Sequence, residues 1–239
     1  MTTRTPSPPI PSNLKSRLKA SYDTIAPTYN AWTSQHFSVR LAQLNHLLDL
    51  LPSNPSPPQT TTVPLRALEL GCGAGIPITS TLLSSPRSIP FHVTANDLSS
   101  TQIALARESL GSDPEKVEWL EGDMTALSFP AESFDVVIAL YSIIHLPRDE
   151  QLEMIRKISA WLKPGGLVLM NFGEEESKGE ESEGWLGEGG WMYWSGWGKE
   201  RYLKEVEGVG IEVVREEGRL GFKSECASGN GSPGMNGQE

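Results

Sequence analysis

The chain has 239 residues, 38% of them hydrophobic and 21% charged, enough for one α/β domain with additions and little room for a second full domain. Its formal net charge of −10 argues against a nucleic-acid backbone as the main partner, which needs clustered cations. Cys72 and Cys226 are the two cysteines, too few for a disulfide framework, and no apolar run is long enough to cross a membrane, so a cytoplasmic protein is expected.

In chain order, residues 1–11 are rich in Thr, Ser and Pro, read as a disordered tail, and lack the apolar centre of a secretory signal. Ser12 is placed to cap a helix running to about Asp23. A second helix is expected from about Ser38 to Leu51, with Val39, Leu41, Leu44, Leu47, Leu48 and Leu51 on one face. These two helices and the Pro/Ser/Thr-rich linker of residues 52–62 make residues 12–63 a helical cap. Residues 1–63 are also mildly basic, with cations at 4, 15, 17, 19 and 40 against Asp23 and Asp49.

From residue 64 strands and helices alternate. Strands are expected at Leu65–Leu70, Phe91–Asn96, Val117–Glu121, Phe134–Leu140 and Leu167–Phe172. Helices are expected from near Ile76, with Pro77 in the first turn, and over about Ser99–Leu110 and Arg148–Leu162. Lys163-Pro164-Gly165-Gly166 reads as the turn after the last of these. The alternation implies an α/β, Rossmann-like, doubly wound and mostly parallel sheet of six or seven strands. Residues 173–198 break the pattern and read as a lid insertion. Between Glu174 and Glu188 it carries seven Glu against one Lys, expected to be a solvated, mobile run. A short helix at about Lys199–Glu207 and a strand at Ile211–Glu216 follow. Leu220–Cys226 is too short and polar to make a good final strand, so the sheet has either a stunted last strand or six strands. Residues 64–222 are the expected domain and 223–239 a disordered tail.

In a doubly wound sheet, ligands bind beyond the C-terminal strand ends. The first strand ends in Glu69-Leu70-Gly71-Cys72-Gly73-Ala74-Gly75, a turn whose alternate glycines let backbone approach a ligand. The second ends at Asn96-Asp97, the third at Glu121-Gly122-Asp123-Met124 and the fourth at Ala139-Leu140-Tyr141-Ser142. Acids after three successive strands form a rim that a cationic ligand rich in hydroxyl and amino donors would satisfy. The Gly-x-Gly-x-x-Gly of a dinucleotide site is not met, since Ile76 stands where its third glycine belongs. Glu69 also opposes a pyrophosphate at this turn.

With these motifs the chain resembles the class I S-adenosylmethionine-dependent methyltransferases, and within them the small-molecule branch of the ubiquinone/menaquinone-biosynthesis type. The resemblance covers roughly residues 20–172, with a weaker echo to about 216. Glu69–Gly75 matches the first motif, Asp97-Leu98-Ser99 the ribose-binding acid, and Gly122-Asp123-Met124 the adenine-binding motif. Phe134–Ala139 and Trp161–Gly166 match the fourth strand and the turn before the fifth. Tyr22–Tyr29 resembles the N-terminal segment that closes over the cofactor. The resemblance implies S-adenosyl-L-methionine as cofactor, with S-adenosyl-L-homocysteine as product. It implies that Asp97 accepts from both ribose hydroxyls and Asp123 from the adenine amino group, while the Met124 N–H reads a ring nitrogen. Gly71 and Gly73 line the methionyl part, the carbonyl of Ala139 or Leu140 holds its ammonium, and Tyr22 and Tyr29 cover the sulfonium and carboxylate. Glu69, Cys72, Gly75 and Leu98 complete the expected cofactor set, Cys72 as a packing residue rather than a nucleophile.

On the acceptor side His145, with Tyr141, is the candidate general base, set against the alternative of a satisfied turn histidine. Four of the seven tryptophans lie within 13 residues, in the run Trp185, Trp191, Tyr193, Trp194 and Trp197. Tyr193 and Trp194, with Trp32, are the candidate substrate contacts; rings packing among themselves are the alternative. No Asp/Asp/Asn set suggests a metal, so none is expected. The reaction implied is methyl transfer to N, O or S of a small molecule. A nicotinamide-dependent oxidoreductase and a non-catalytic cofactor-binding partner protein stay open as alternatives. The sequence says nothing of oligomeric state.

Overall fold

The structure is a computed structural model and describes residues 10–51 and 63–216. The expected tails, the 52–62 linker and the Leu220–Cys226 stretch lie outside the described residues. Five parallel strands form the central sheet: β1 (Leu65–Leu70), β2 (Phe91–Asp97), β3 (Val117–Glu121), β4 (Phe134–Ala139) and β5 (Leu162–Met170), in the order β3-β2-β1-β4-β5. The order reverses between β1 and β4, so the ligand crevice of an open α/β sheet falls beyond their ends.

Alternation along the strands builds two cores. Ala67, Val93, Ala95, Val136 and Ile138 face α2 (Phe37–Leu50), α3 (Ile78–Leu83) and α4 (Ser100–Leu110). Leu68, Leu70, Val137 and Ala139 face Met154, Ile158 and Trp161 of α5 (Arg148–Trp161) on the other side. Each fully buried Leu, Ile, Val or Met stabilises the fold by about 1.5–3 kcal/mol. Buried polar residues accompany them, Glu69 on β1, Thr94 and Asn96 on β2, and Gln102 at the start of α4.

Several elements depart from the sequence reading. The first helix, α1, runs Leu14–Thr33 straight through Pro27, with Asn13 rather than Ser12 preceding it. Packing explains its length: Leu14, Leu18 and Ile25 are buried against the hairpin described next, which outweighs the hydrogen bond lost at Pro27. The 163–166 turn is instead a bulge inside β5, whose register jumps from Phe134↔Leu162 to Val136↔Leu167.

Among the described residues the central sheet has five strands, against the six or seven expected. Ile211–Glu216 forms no strand among the described residues; it follows α6 (Lys199–Gly208), which packs Tyr202 and Val206 on α5. The Glu-rich run is not a solvated loop. It forms β6 (Glu176–Glu183), paired antiparallel with β7 (Trp191–Trp197) as a separate hairpin. The composition of β6 hides the strand, because partner and location supply the stability: β7 buries Trp191, Met192 and Tyr193, and β6 pairs with it. Arg17 of α1 answers the acidity, pairing with Glu181 and Glu183 while its guanidinium lies 4.2 Å from the Trp191 ring centre. Among the described residues no helix is long and apolar enough to cross a membrane.

Candidate active site

Beyond the β1 and β4 ends lies a cavity of about 80 Å³. Its floor is the glycine turn. Gly71 must be glycine: at φ +77° its backbone passes so close to the next loop that a Cβ would stand 2.4 Å from Ser142 Cβ. Gly75 serves packing, since a Cβ there would reach 2.7 Å from Leu110 Cδ1 and 3.1 Å from the Trp119 ring. Gly73 lines the cavity, and its N–H donates to Asp97 Oδ2 at 2.7 Å. The Ser99 N–H donates to Asp97 Oδ1 at 2.9 Å, so the β2-end carboxylate is pinned between the glycine turn and the start of α4. Burial raises the Asp97 pKa above the usual carboxylate range, against the two backbone N–H groups, which lower it.

The far wall is Asp123 and Met124. Asp123 accepts from the Thr125 N–H at 2.9 Å and hydroxyl at 2.7 Å, and pairs with Lys15 of α1 at 2.7 Å. Burial would raise its pKa; the Lys15 ammonium and the Thr125 donors outweigh this and hold it below the usual range. Lys15 also reaches Glu150 at 2.6 Å. Asp23, about two turns further along α1, accepts from Ser99 Oγ at 2.6 Å and the Thr101 N–H at 3.0 Å. It thereby helps to cap α4 from another helix. These bonds, with Lys19, outweigh its burial and bring its pKa to about 2. The cap helix is thus tied to the rim of the cavity by hydrogen bonds as well as by apolar contacts.

The roof joins α1 to the turn after β4. Tyr22 and Tyr29 line the cavity, their ring centres 5.2 Å apart. The Tyr22 hydroxyl lies 3.0 Å from His145 Nε2, and His145 Nδ1 lies 2.8 Å from the Tyr193 carbonyl oxygen. A carbonyl only accepts, so Nδ1 carries the proton and Nε2 accepts from the Tyr22 O–H. Burial lowers the His145 pKa, against the backbone carbonyl, which raises it; the ring is neutral at pH 7. The buried Gln151 amide fixes this wall by donating to Leu146 and Ser195 carbonyls at 2.8 and 2.9 Å. Tyr141 lines the cavity in a left-handed conformation (φ 56°), its N–H donating to Asn171 Oδ1 at 2.6 Å.

Of the residues singled out in the sequence, Tyr22, Tyr29, Gly71, Gly73, Asp97, Leu98, Asp123, Met124, Tyr141 and His145 meet around this one cavity. Glu69, Cys72, Gly75, Ala139, Leu140, Trp32, Tyr193 and Trp194 lie outside its lining. Glu69 is buried behind the turn, accepting from Thr79 Oγ1, and burial pushes its pKa up to about 7 against that hydroxyl and Arg40. Cys72 is a buried thiol whose pKa burial raises well above the ordinary value. Tyr193 is buried and presents its carbonyl, and Trp194 stands 6.2 Å from His145, ring centre to ring centre.

The sequence reading missed Lys15, Leu18, Gln102, Ser142 and Leu146, which also line the cavity. It missed Arg40, whose guanidinium lies 4.8 Å from the Tyr141 ring centre. The buried Gln102 Nε2, Ser142 Oγ and Arg40 Nε atoms have no hydrogen-bond partner among the described residues. Three unmatched donors near the glycine turn suit an anionic ligand group. An amino-acid carboxylate next to a nucleoside is such a ligand: Asp97 keeps lone pairs free for ribose hydroxyls and Asp123 faces the other end. The site therefore fits S-adenosylmethionine, with Gln102, Ser142 and Arg40 toward its carboxylate. A cavity of about 80 Å³ is smaller than the ~300 Å³ or more of ligand pockets, so part of the roof has to give way on binding.

Fold and site together define a Rossmann-like domain built to hold an adenosine-bearing cofactor at its switch point. Residues 67–166 match the family described as "Methyltransferase domain". A malonyl-[acyl-carrier protein] O-methyltransferase of Haemophilus ducreyi is 32% identical over 139 residues, 56% of this chain and 49% of that protein. A tRNA N(3)-cytidine methyltransferase of Gallus gallus is 30% identical over 109 residues, 44% of this chain and 29% of that protein. The chain spans less than half the length of the curated relatives it matches. The solved DhpI–SAH complex shares the fold, with a TM-score of 0.59, 19% identity and coverage of 84% of this chain and 89% of that one. Residues 67–166 thus match a methyltransferase domain, and the fold is shared with the DhpI–SAH complex.

Proposed function

We propose that the chain is an enzyme that transfers the methyl group of S-adenosylmethionine to an N, O or S atom of a small molecule. Residues 64–222 form its catalytic domain, 12–63 its cap and 173–198 the cover of the acceptor side, and it works in the cytoplasm. The observation that carries this reading is Asp97, pinned by Gly73 and Ser99 N–H groups and facing a cavity whose far wall is Asp123 and Met124. When bound, the cofactor supplies an already activated methyl group on a sulfonium. The chain's residues then have to hold donor and acceptor in line and exclude water, an effect worth ~7–11 kcal/mol when complete.

The Tyr22–His145 pair gives proton handling at the same wall. With Nδ1 held by the Tyr193 carbonyl, the Nε2 lone pair that accepts from the Tyr22 O–H can take the Tyr22 proton as the Tyr22 oxygen takes one from an acceptor hydroxyl or ammonium. An acceptor that needs no deprotonation would use Tyr22 only to orient it.

A small acceptor is favoured over a nucleic acid by the net charge of −10 and by Glu121, Asp123 and Glu150 on the cavity rim, which meet lysines of the cap. Incubating the chain with methyl-labelled S-adenosylmethionine, a small-molecule extract and total tRNA tests this. Label should enter a small molecule; label confined to tRNA would overturn the acceptor class.

A further inference from the structure

Trp185 is the one large aromatic of the hairpin turn between β6 and β7. Its indole sits among three rings of α1, Trp32 at 5.6 Å, Tyr29 at 5.9 Å and Tyr22 at 6.5 Å, and one of β7, Trp194 at 6.0 Å, centre to centre. Three of these meet it at steep angles of 73–79°, the edge-to-face arrangement in which an aromatic group is well solvated by other rings. Tyr22 and Tyr29 are also cavity walls, and His145, 5.8 Å from Tyr22 and 6.2 Å from Trp194, closes the circuit. The indole therefore lies against Tyr22 and Trp194, the two rings that flank His145.

The way Trp185 is held differs from the way the rest of the roof is held. Helix α1 is fastened by Lys15, Asp23 and Arg17, and Ser21 Oγ accepts from the Trp191 N–H at 2.7 Å. The Trp185 side chain, among the described residues, makes ring and apolar contacts only. Its turn has Gly184, Leu186, Gly187 and Gly189 at positive φ, and a Gly184 N–H to Gly190 carbonyl bond of 2.7 Å closes its neck. The tip can therefore swing at its glycines while the strands stay paired. Trp185 stands behind the cavity walls Tyr22 and Tyr29, and its side chain can move without breaking a polar bond.

We propose that the Trp185 indole is a plug seated in the methyl-acceptor subsite, and that a flat apolar group of about indole size on the acceptor takes its place. The ring circuit of Tyr22, Tyr29, Trp32 and Trp194 then selects the acceptor, and Trp185 sets the size that enters. This rests on the methyltransferase reading.

Titrating free indole into the full chain saturated with S-adenosylhomocysteine tests it, with wild type, Trp185→Phe and Trp185→Ala compared. Emptying the subsite should make Trp185→Ala bind indole at least tenfold more tightly than wild type, with Trp185→Phe between them. S-adenosylhomocysteine affinity should stay within about twofold in all three, and indole should show a nuclear Overhauser contact to the Tyr22 or His145 ring. Equal indole affinity in all three proteins, or indole that displaces S-adenosylhomocysteine, overturns the proposal. So does a Trp185→Phe protein that has lost S-adenosylhomocysteine binding, because Trp185 is then part of the cofactor's wall. A wild-type chain that binds no S-adenosylhomocysteine at all overturns the methyltransferase reading, and this proposal with it.

Discussion

Replacing Asp97 by alanine should weaken S-adenosylhomocysteine binding by about 100-fold. Each Asp97 oxygen already accepts one backbone N–H, at 2.7 Å from Gly73 and 2.9 Å from Ser99. A carboxylate oxygen has two lone-pair directions, so one remains on each for a ribose hydroxyl. A hydrogen bond to a charged group contributes about 1.5–3 kcal/mol. Two at the lower value give ~3 kcal/mol, and tenfold in affinity is about 1.4 kcal/mol. The substitution also frees two N–H groups next to the cavity, where water can reach them. It removes a charge that burial disfavours, as the raised pKa of Asp97 indicates, and these effects on the free protein oppose each other. Calorimetric titration of wild type and variant, with melting curves to verify the fold, measures the difference. A folded Asp97→Ala protein whose affinity falls less than threefold would refute the ribose role and the reasoning from strand ends.

Four further outcomes follow from the same geometry. Glu69, with its pKa raised to about 7 by burial, takes up a proton in the folded state that the unfolded chain has already released. Stability should therefore fall as pH rises from about 4.5 to about 7, by about 3 kcal/mol at most, and Glu69→Gln should flatten that slope in melts at pH 5 and 8. Asp23→Ala removes the cross-helix cap of α4 and should cost about 1–2 kcal/mol in urea unfolding at pH 7; its stabilisation, present above the unfolded carboxylate pKa, fades as pH drops toward about 2. Tyr22→Phe leaves His145 Nε2 without its donor, so for an acceptor that must lose a proton kcat should fall ten- to 100-fold while S-adenosylhomocysteine affinity changes little; equal losses in both would make Tyr22 a binding residue only. Because burial lowers the His145 pKa, the acid limb of the wild-type rate profile should lie below pH 6.5, and His145→Ala should abolish that limb.

Much of this architecture was legible in the residues, for identifiable reasons. Strand β4 reads as a nearly unbroken apolar run, and β1 to β3 as short stretches of buried apolar residues that each end at or next to an acid, which makes those acids visible. Asp97 and Asp123 were found this way. Contacts made by the cap were not legible. Lys15, Arg40 and Gln102 sit on helices as ordinary polar residues, and only folding brings Lys15 108 positions along the chain to Asp123. The hairpin was misread because β6 is written in Glu, Ser, Lys and Gly; its strand conformation comes from pairing with β7 and from Arg17, both distant in sequence or hidden by the aromatic run. The 163–166 bulge was read as a turn because Pro and Gly mark both, and only the register with β4 separates them.

The central claim is that the cavity at Gly71–Gly73, Asp97 and Asp123 is built for an S-adenosylmethionine-type ligand rather than a dinucleotide. Calorimetry of the full wild-type chain with S-adenosylhomocysteine and with NAD tests it most directly. One S-adenosylhomocysteine should bind per chain with micromolar or tighter affinity, and NAD should give no heat of binding; NAD binding without S-adenosylhomocysteine binding would contradict this assignment of the cavity.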